Sequence, residues 1–384
     1  MYAAHSRLAP YVRRLLLSIA LLLLASPAWA QFHAGLAHLP NLGEHKGESI
    51  NIAFITFSLT VSDYSFFVFD GMRERLSQYG QPYNVRLSAA GGHGDHEGLL
   101  QLAREAIIGG ADILVVHPTV LELNTAISEL AAREGVPLIW INVGPRGALD
   151  LEEFPALSYV GYEHYDGGVL VGAFLSDYLE ENALIGVLRL FTGDYADERL
   201  TGAIDVLRER RPDVRIIEEF AEGSRTRGNE LATAMLTGNP DISVIYGGNS
   251  NSAMGAQAAV ESLRANVGVI GYGATQEEVE AILEQRLLAS IMRDPFDNGR
   301  LAADLIIKWW EGREDEIEPA YSTFQKLVYS PDLVYRYVSR PLWQAWVDLH
   351  GQVESGCPEE RDIPELALGF HDPEHLANCP WVVR

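Results

Sequence analysis

The sequence predicts an α/β fold of two doubly wound parallel-sheet lobes, and three observations support this class. From Ile50 onward, short β-rich apolar runs alternate with longer amphipathic stretches. The runs are continuously apolar, which is typical of parallel strands that helices cover on both faces. The pattern restarts after Tyr159-Val160-Gly161, so that two units of similar length follow one another. We therefore expect two lobes joined by several short hinge crossovers.

The first unit alternates strands and helices as a parallel sheet requires. Its predicted strands are Ile52–Ile55, Val85–Ala89, Ile113–Val116 and Leu138–Ile141. Its predicted helices are Ser65–Tyr79, His96–Gly109 and Leu121–Glu134. Asp95 precedes the second of these helices and is expected to cap it, in a solvated turn that holds His93 and His96.

The second unit repeats the same alternation and ends in a third βα stretch. Its predicted helices are Gly168–Glu180, Arg199–Arg210, Asn229–Leu236, Ala253–Arg264, Glu277–Gln285 and Leu301–Trp310. Its predicted strands are Leu184–Phe191, Val214–Phe220, Val244–Tyr246, Val267–Tyr272, Ser290–Met292 and Phe324–Val328. We assign 50–161 plus 275–320 to an N-terminal lobe, 162–274 plus 321–330 to a C-terminal lobe, and 331–384 to a C-terminal extension.

The first 30 residues have the features of a secretory signal peptide. Arg13 and Arg14 precede an apolar run from Leu15 to Ala25, and Ala28-Trp29-Ala30 forms an A-x-A cleavage site. The run is too short for a membrane-spanning helix. We expect a soluble protein exported to the periplasm that begins near Gln31.

The net charge of −24 limits the classes of partner that this chain can bind. A strongly acidic surface repels nucleic-acid phosphates, so we expect no nucleic-acid partner. Cys357 and Cys379 are the only cysteines, and an oxidising compartment favours a disulfide between them. A metal site that also uses His371 and His375 is the alternative.

Several motifs resemble those of the type I periplasmic sugar-binding proteins. They occur in the expected order between Ile50 and Val328: Asp112 to Thr119, Pro240-Asp241-Ile242, Asn249 with Met254-Gly255-Ala256, Val269-Ile270-Gly271-Tyr272, and Ile291 to Pro295. The resemblance implies the fold of that family and a soluble receptor that binds a sugar or polyol between its lobes.

Within the family, the sequence is most similar to the LuxP-type autoinducer-2 receptors. Val61 to Tyr64 resembles their first-strand loop, and Tyr159 to His164 resembles their first crossover. Thr60 and Ser65 stand where those receptors have glutamine and tryptophan. Asn251 replaces an aspartate and Tyr272 replaces a tryptophan. Gly273 stands where ribose binders usually carry an aspartate, so the pocket resembles that of the autoinducer-2 receptors more closely.

The resemblance and the strand-end positions together give a candidate ligand site. A polyhydroxyl ligand needs planar polar groups for its oxygens and an aromatic face for its C–H side. The candidates are Thr60, Ser62, Tyr64, Ser65, Asn142, Arg199, Asn249, Ser250, Asn251, Tyr272 and Arg293.

Other interpretations remain open for several of these residues. Arg199 could be an exposed arginine at a helix start, and Arg293 could form a hinge ion pair with Asp294 or Asp297. Asn249 and Asn251 could cap the helix that follows them. Trp309 and Trp310 look like pocket aromatics, but their helical spacing favours the core.

We expect a receptor rather than an enzyme, because no catalytic set of residues stands out. No metal or cofactor is expected. The expected mechanism is closure of a monomer around a small polar ligand, which shifts the population from open to closed. An inner-membrane ABC permease would then receive a sugar, or a sensor kinase would read an autoinducer-2-like ligand. The extension, with Trp343 and Trp346 at helical spacing, is expected to cover a sheet edge.

Overall fold

The computed structural model describes residues 48–59, 64–92, 94–118, 125–142, 155–190, 195–323, 325–330 and 333–334. The predicted signal peptide, the cysteine pair and nearly all of the extension lie outside these residues. Within them, no helix has the length and apolar character needed to cross a membrane.

Two sheets form the framework, as the repeated pattern predicts, and each has six strands, although only four were predicted for the first. The strands are β1 (Ile50–Thr56), β2 (Tyr83–Ala89), β3 (Ile113–His117), β4 (Leu138–Asn142), β5 (Ser158–Gly161), β6 (Leu184–Arg189), β7 (Arg215–Phe220), β8 (Ile242–Gly247), β9 (Gly268–Gly273), β10 (Ala289–Arg293), β11 (Ala320–Ser322) and β12 (Gln325–Val328). The first sheet has the order β2-β1-β3-β4-β5-β11, and all of its pairs are parallel. The second has the order β7-β6-β8-β9-β10-β12, in which only β12 runs antiparallel.

The helices also follow the predicted order. They are α1 (Tyr64–Tyr79), α2 (His96–Ile108), α3 (Thr125–Glu134), α4 (His164–Tyr178), α5 (Glu198–Arg210), α6 (Arg225–Gly238), α7 (Ser250–Leu263), α8 (Gln276–Leu283) and α9 (Pro295–Trp310). Asp95 caps α2 as predicted, since its carboxylate accepts from the Gly98 N–H at 3.0 Å. Helix α9 begins six residues before the predicted Leu301, because Asp294 caps it and Pro295 occupies its first position.

Each sheet is covered on both faces by apolar clusters. In the first lobe, α1 and α9 pack on one face with Trp309 and Trp310, which are 4% and 7% exposed. Helices α2 and α3 cover the other face. In the second lobe, α4 and α5 cover one face, and α6, α7 and α8 cover the other. The two tryptophans therefore belong to the core, as their spacing favours.

The chain crosses between the lobes three times. It leaves the first sheet after Gly161, returns between Arg293 and Pro295, and leaves again between Ser322 and Gln325. The sequence analysis placed the return at 275. That boundary is wrong because β10 still pairs with β9 in the second sheet, whereas α9 packs on α1 in the first lobe.

Helices α1 and α9 approach closely through two glycines. A Cβ atom on Gly299 would lie 2.0 Å from the Val68 carbonyl oxygen, and one on Gly71 would lie 2.0 Å from the Phe296 carbonyl oxygen. Both contacts are with backbone, which cannot move aside as a flexible side chain can. The joint between the returning helix and the first lobe therefore depends on the absence of side chains here.

We predict that Gly299→Ala lowers the free energy of unfolding by about 1–3 kcal/mol through overpacking, despite the higher helix propensity of alanine. The matched control is Gly238→Ala in α6, where nothing lies within 4 Å of the new Cβ atom. It should leave stability unchanged or raise it by up to about 1 kcal/mol. Urea unfolding of both variants measures the difference. Equal stabilisation by the two alanines would show that α1 and α9 are not tightly packed.

Candidate functional site

The carboxyl ends of strands from both sheets meet at one place. Asn142 ends β4 of the first sheet, and Arg293 ends β10 of the second. Nη1 of Arg293 donates to Oδ1 of Asn142 at 3.2 Å. The two residues are 8% and 9% exposed, so this hydrogen bond between the lobes is buried. Ligands of open α/β sheets bind beyond such strand ends.

Three tyrosine rings surround the Arg293 guanidinium. Its carbon lies 5.0 Å from the ring centre of Tyr64, 5.5 Å from that of Tyr162 and 5.7 Å from that of Tyr272. At these distances, the ring quadrupoles stabilise the cation. Among the described residues, the Arg293 Nε atom has no hydrogen-bond partner. A buried N–H donor therefore lies among aromatic rings without a hydrogen-bond partner in the described part of the chain.

A second arginine contacts the same cluster from the second lobe. Arg199 lies in the first turn of α5 and is only 2% exposed. Its guanidinium carbon lies 4.1 Å from the Tyr272 ring centre. Its Nη1 atom donates to the Gly248 carbonyl at 2.7 Å. The alternative of an exposed helix-start arginine is therefore wrong, and the Tyr272 ring lies near both guanidinium groups.

The backbone of Asn142 adopts an unusual conformation that two donors hold in place. Its φ of 66° lies in the left-handed region, which asparagine tolerates better than most residues. The Asn142 carbonyl accepts from the Tyr159 hydroxyl at 3.0 Å and lies 3.1 Å from Nε2 of His164. These contacts hold the carbonyl group of Asn142, the residue whose side chain faces Arg293.

A row of polar groups continues from Asn142 into the first lobe. Nδ2 of Asn142 lies 3.1 Å from Nε2 of His117. Nδ1 of His117 lies 2.9 Å from the Ser65 hydroxyl, which lies 2.8 Å from the Thr56 hydroxyl. Ser65, Thr56 and His117 are all at most 3% exposed. The predicted residue Ser65 therefore contributes to the site through His117.

The tyrosines of the cluster are tied to the crossovers. The Tyr272 hydroxyl donates to Oε1 of Gln325, whose Nε2 atom donates to the Glu163 carbonyl at 2.8 Å. The Tyr64 hydroxyl accepts from Asn298 at 2.8 Å. Oδ1 of Asn298 in turn accepts from the Thr323 hydroxyl at 2.7 Å. Each of these two rings is thus anchored to the chain segments that connect the lobes.

Burial alters the acid–base properties of the cluster. It raises the pKa values of the Tyr64 and Tyr272 hydroxyls to about 12, so both stay neutral. Burial lowers the pKa of His164 well below its usual range, and the charges of Arg199 and Arg293 lower it further. Burial also raises the pKa of the Glu278 carboxyl. The site therefore combines two arginines with tyrosine and histidine side chains that stay neutral.

The asparagines that precede α7 have a local structural role. Oδ1 of Asn249 caps the helix by accepting from the Ser252 N–H at 2.9 Å, and its Nδ2 atom donates to the Gly223 carbonyl at 3.1 Å. Ser250 donates to the Glu278 carboxylate at 2.7 Å. Asn251 lies half-buried in the first turn of α7. The capping interpretation is thus confirmed for Asn249.

The structure brings together six of the eleven sequence-predicted site residues, namely Tyr64, Ser65, Asn142, Arg199, Tyr272 and Arg293. Thr60 and Ser62 lie outside the described residues. The alternative for Arg293, an ion pair with Asp294 or Asp297, is not formed among the described residues, because Asp294 caps α9 and Asp297 contacts Arg300.

Sequence reasoning missed four members of the cluster, which are His117, Tyr159, Tyr162 and His164. His117 had an available signal, since it is the last residue of β3. Tyr162 and His164 lie at the first crossover, where polar side chains follow a strand and precede a helix, and Tyr159 lies within β5. Among the described residues, no group of histidine and carboxylate side chains forms a metal site.

This arrangement suits a small molecule with several hydroxyl groups. Arginine and asparagine present planar groups that make paired hydrogen bonds. Tyrosine rings cover apolar C–H surfaces. Because the polar groups come from both lobes, a molecule bound here would contact both of them at once.

Residues 52–314 match the family described as a periplasmic binding protein domain. The chain is 27% identical over 261 residues to the ribose import binding protein of Haemophilus influenzae, covering 66% of this chain and 86% of that protein. It is 23% identical over 249 residues to its Bacillus subtilis counterpart, covering 65% and 79% of the two chains.

Solved structures of periplasmic and other solute-binding proteins share the fold. A periplasmic solute-binding protein from Actinobacillus succinogenes with bound D-allose aligns with a TM-score of 0.66 and 24% identity, over 73% of this chain and 97% of its own. A solute-binding protein from Bacillus halodurans with bound myo-inositol aligns with a TM-score of 0.66 and 20% identity, over 76% and 97%. The type I periplasmic binding protein fold predicted from sequence is confirmed.

The residue after Arg293 should give stability a measurable pH dependence. Burial raises the pKa of Asp294 to about 6, above its ordinary value of 3.8. As pH rises, the unfolded chain ionises first, so the free energy of unfolding falls between about pH 4 and 6. The folded carboxyl ionises near pH 6, and the loss then levels off at about 3 kcal/mol.

We predict that Asp294→Asn keeps the cap and removes this loss, because asparagine caps helices as well as aspartate does. The variant should match the wild type near pH 4 and be more stable by up to about 3 kcal/mol at pH 7. Urea unfolding across this range measures the difference, with Asp70→Asn on the exposed side of α1 as the control. Parallel pH profiles of the wild type and Asp294→Asn would contradict the assignment.

Proposed function

Because the chain belongs to the periplasmic binding protein domain family, we propose that it is a periplasmic receptor for a sugar or sugar-like polyol. In this proposal, its two lobes close on the ligand, and the closed form delivers it to an inner-membrane ABC-type importer. The predicted signal peptide supports a periplasmic location. The proposal involves binding and release, with no chemical step.

The buried hydrogen bond between Asn142 and Arg293 is the observation that carries this proposal. It joins strand ends of the two lobes at 3.2 Å, where the tyrosine rings are also found. A sugar hydroxyl both donates and accepts, so one hydroxyl can accept from Arg293 and bond to Asn142 at the same time. A ligand with vicinal hydroxyls therefore fits between these side chains in a way that an apolar molecule does not.

Closure follows from contacts that only the closed form can offer. Asn142 belongs to the first lobe, whereas Arg199 and Arg293 belong to the second. A ligand that contacts all three binds the closed arrangement more tightly than the open one. The bound population therefore shifts toward closure by the difference in those two affinities.

The relatives support a neutral sugar as the ligand. Two of them are named as ribose import binding proteins, and one solved structure holds D-allose. All of these names describe binding or import rather than catalysis. The structure with myo-inositol widens the candidate class to cyclic polyols.

A second candidate ligand rests on the two arginines. Arg199 and Arg293 are both buried and both lie near the Tyr272 ring. A pair of buried cations favours a ligand with negative charge, such as a borate-bearing autoinducer-2. In that case, the chain would act as a LuxP-type receptor that signals through a membrane sensor kinase. The names of the relatives above give this candidate no support.

The ligand is tested by calorimetric titration with D-ribose, D-allose, myo-inositol and autoinducer-2, each with and without borate. Binding of a sugar or polyol without borate supports the first candidate. Binding of autoinducer-2 that requires borate replaces it with the second. Binding of none of them contradicts both candidates.

We predict that the bound protein is more compact than the free one, because the site draws on both lobes. Small-angle scattering should show a smaller radius of gyration at saturation with the sugar that binds. An unchanged profile at saturation would contradict closure while leaving ligand binding intact.

We predict that Arg293→Ala weakens binding of the same ligand by roughly ten- to a hundredfold, since a charged hydrogen-bonding partner contributes about 1.5–3 kcal/mol. The matched control is Arg227→Ala, which removes a half-exposed arginine from the surface of α6 and should leave affinity unchanged. Circular dichroism shows whether each variant is folded. Wild-type affinity in a folded Arg293→Ala protein would remove Arg293 from the site.

A further inference from the structure

His164 connects ligand-site residues of the two lobes without being one of the predicted ligand contacts. It is the first residue of α4, directly after the first crossover, and is 0% exposed. On one side, Nε2 lies 3.1 Å from the Asn142 carbonyl oxygen. On the other, Nδ1 lies 3.1 Å from Nη2 of Arg199. One imidazole thus bridges β4 of the first lobe and α5 of the second.

The two contacts determine where the proton of this ring lies. A guanidinium group can only donate hydrogen bonds, so Nδ1 of His164 must accept from Arg199. A carbonyl oxygen can only accept, so Nε2 must carry the proton that it donates to Asn142. Both contacts are satisfied by one species only, which is the neutral ring protonated on Nε2.

The charges around the ring keep it in that form. The cations Arg199 on α5 and Arg293 on β10 face it, and His117 on β3 lies nearby. A second proton would place an N–H group of His164 against the N–H groups of Arg199. Burial without access to water would add to that cost.

The contact with Asn142 bears on ligand binding because Asn142 is strained. Its left-handed backbone costs about 1 kcal/mol or more and persists only when neighbouring groups hold it. His164 and Tyr159 are the donors that bond its carbonyl. Loss of one donor frees the peptide group to rotate, and the side chain that faces Arg293 would rotate with it.

We propose that His164 is a positioning residue whose Nε2-protonated ring holds the Asn142 carbonyl and the Arg199 guanidinium in their ligand-binding geometry. The inference rests on the proposed function, since it assigns a role in binding. It extends that function by linking the first crossover to both lobes of the site.

Two substitutions remove the two hydrogen bonds of the His164 ring one at a time. His164→Gln keeps an N–H near the Nε2 position and loses the acceptor for Arg199. His164→Asn keeps an acceptor near the Nδ1 position and loses the donor to Asn142. His96→Gln is the matched control, because His96 also begins a helix but is only half-buried.

The first measurement is nitrogen NMR of the full chain without ligand, labelled on histidine, with the His164 signals assigned by their loss in His164→Gln. We expect a neutral, Nε2-protonated ring that stays neutral at pH values where an ordinary histidine becomes protonated. In Arg199→Met, the ring should keep its proton on Nε2, because the Asn142 carbonyl still accepts from it, but its Nδ1 signal should shift and the ring should titrate at a higher pH. An Nδ1-protonated ring, or a ring that Arg199→Met does not affect, would overturn the proposal.

The second measurement is calorimetric affinity for D-ribose and D-allose. Each His164 variant should bind roughly tenfold more weakly, and His96→Gln should bind like the wild type. Arg199→Met should weaken binding at least threefold less in the His164→Gln background than in the wild type, because the shared contact is already lost. Losses that simply multiply, or wild-type affinity in both His164 variants, would overturn the positioning role.

The two measurements separate the inference from the proposed function. If neither sugar binds the wild type, the proposed function fails for these sugars. The NMR result without ligand still decides whether His164 connects to Arg199. The contact between His164 and Asn142 is tested by the side-chain amide signal of Asn142, assigned by its loss in Asn142→Ala. It should shift in His164→Asn, and an unchanged signal would refute the link to Asn142.

Discussion

The hydrogen bond between Asn142 and Arg293 is the interaction on which the rest of the site depends, because it determines which group donates and which accepts in a longer series of hydrogen bonds. Arginine can only donate, so Oδ1 of Asn142 must face Arg293, and its Nδ2 must face His117. Nε2 of His117 then accepts, which places the proton of that ring on Nδ1, where it donates to Ser65. Ser65 donates in turn to Thr56. A single cation of the second lobe thereby orients four polar side chains of the first.

This directionality explains why neutral groups suit the first-lobe side of the site. A carboxylate in place of Asn142 would accept from Arg293 but would have no hydrogen to give Nε2 of His117. A charged His117 would have no acceptor on its Asn142 side. Amide, imidazole and hydroxyl groups each both donate and accept, so they can be arranged in series without an unpaired buried group. The result is a preorganised surface on which hydrogen-bond donors and acceptors alternate.

The sequence predicted the framework well, because continuous apolar strands and amphipathic helices leave a strong pattern. It failed where the local pattern opposes the structure. Helix α4 begins at His164 rather than at the predicted Gly168. Gly167 and Gly168 are poor helix formers, so the local pattern does not show the first turn of this helix. In the structure, they allow close packing against Tyr272 and Arg199. Strand β11 has three residues and pairs with a distant strand, so no local signal marks it.

The candidate site was predictable to the extent that its residues end strands. Arg293 and Asn142 satisfy that rule, and His117 satisfies it equally. His164 does not, because its importance lies in two contacts with residues that are 22 and 35 positions away in the chain. Such contacts follow from the first crossover of the chain from one lobe to the other, and no single-sequence pattern records them.

The crossovers and the candidate site therefore form one physical unit. Gln325 joins Tyr272 to the Glu163 carbonyl, and thus links the third crossover to the first through a ring that contacts both arginines. Rotation about the hinge changes the backbone at Glu163 and Gln325, so it must also disturb the hydrogen bonds that hold the Tyr272 hydroxyl. The converse also holds, because a ligand that fixes the Tyr272 ring restricts the hinge. In a receptor of this design, the affinity for ligand and the angle between the lobes cannot be set independently.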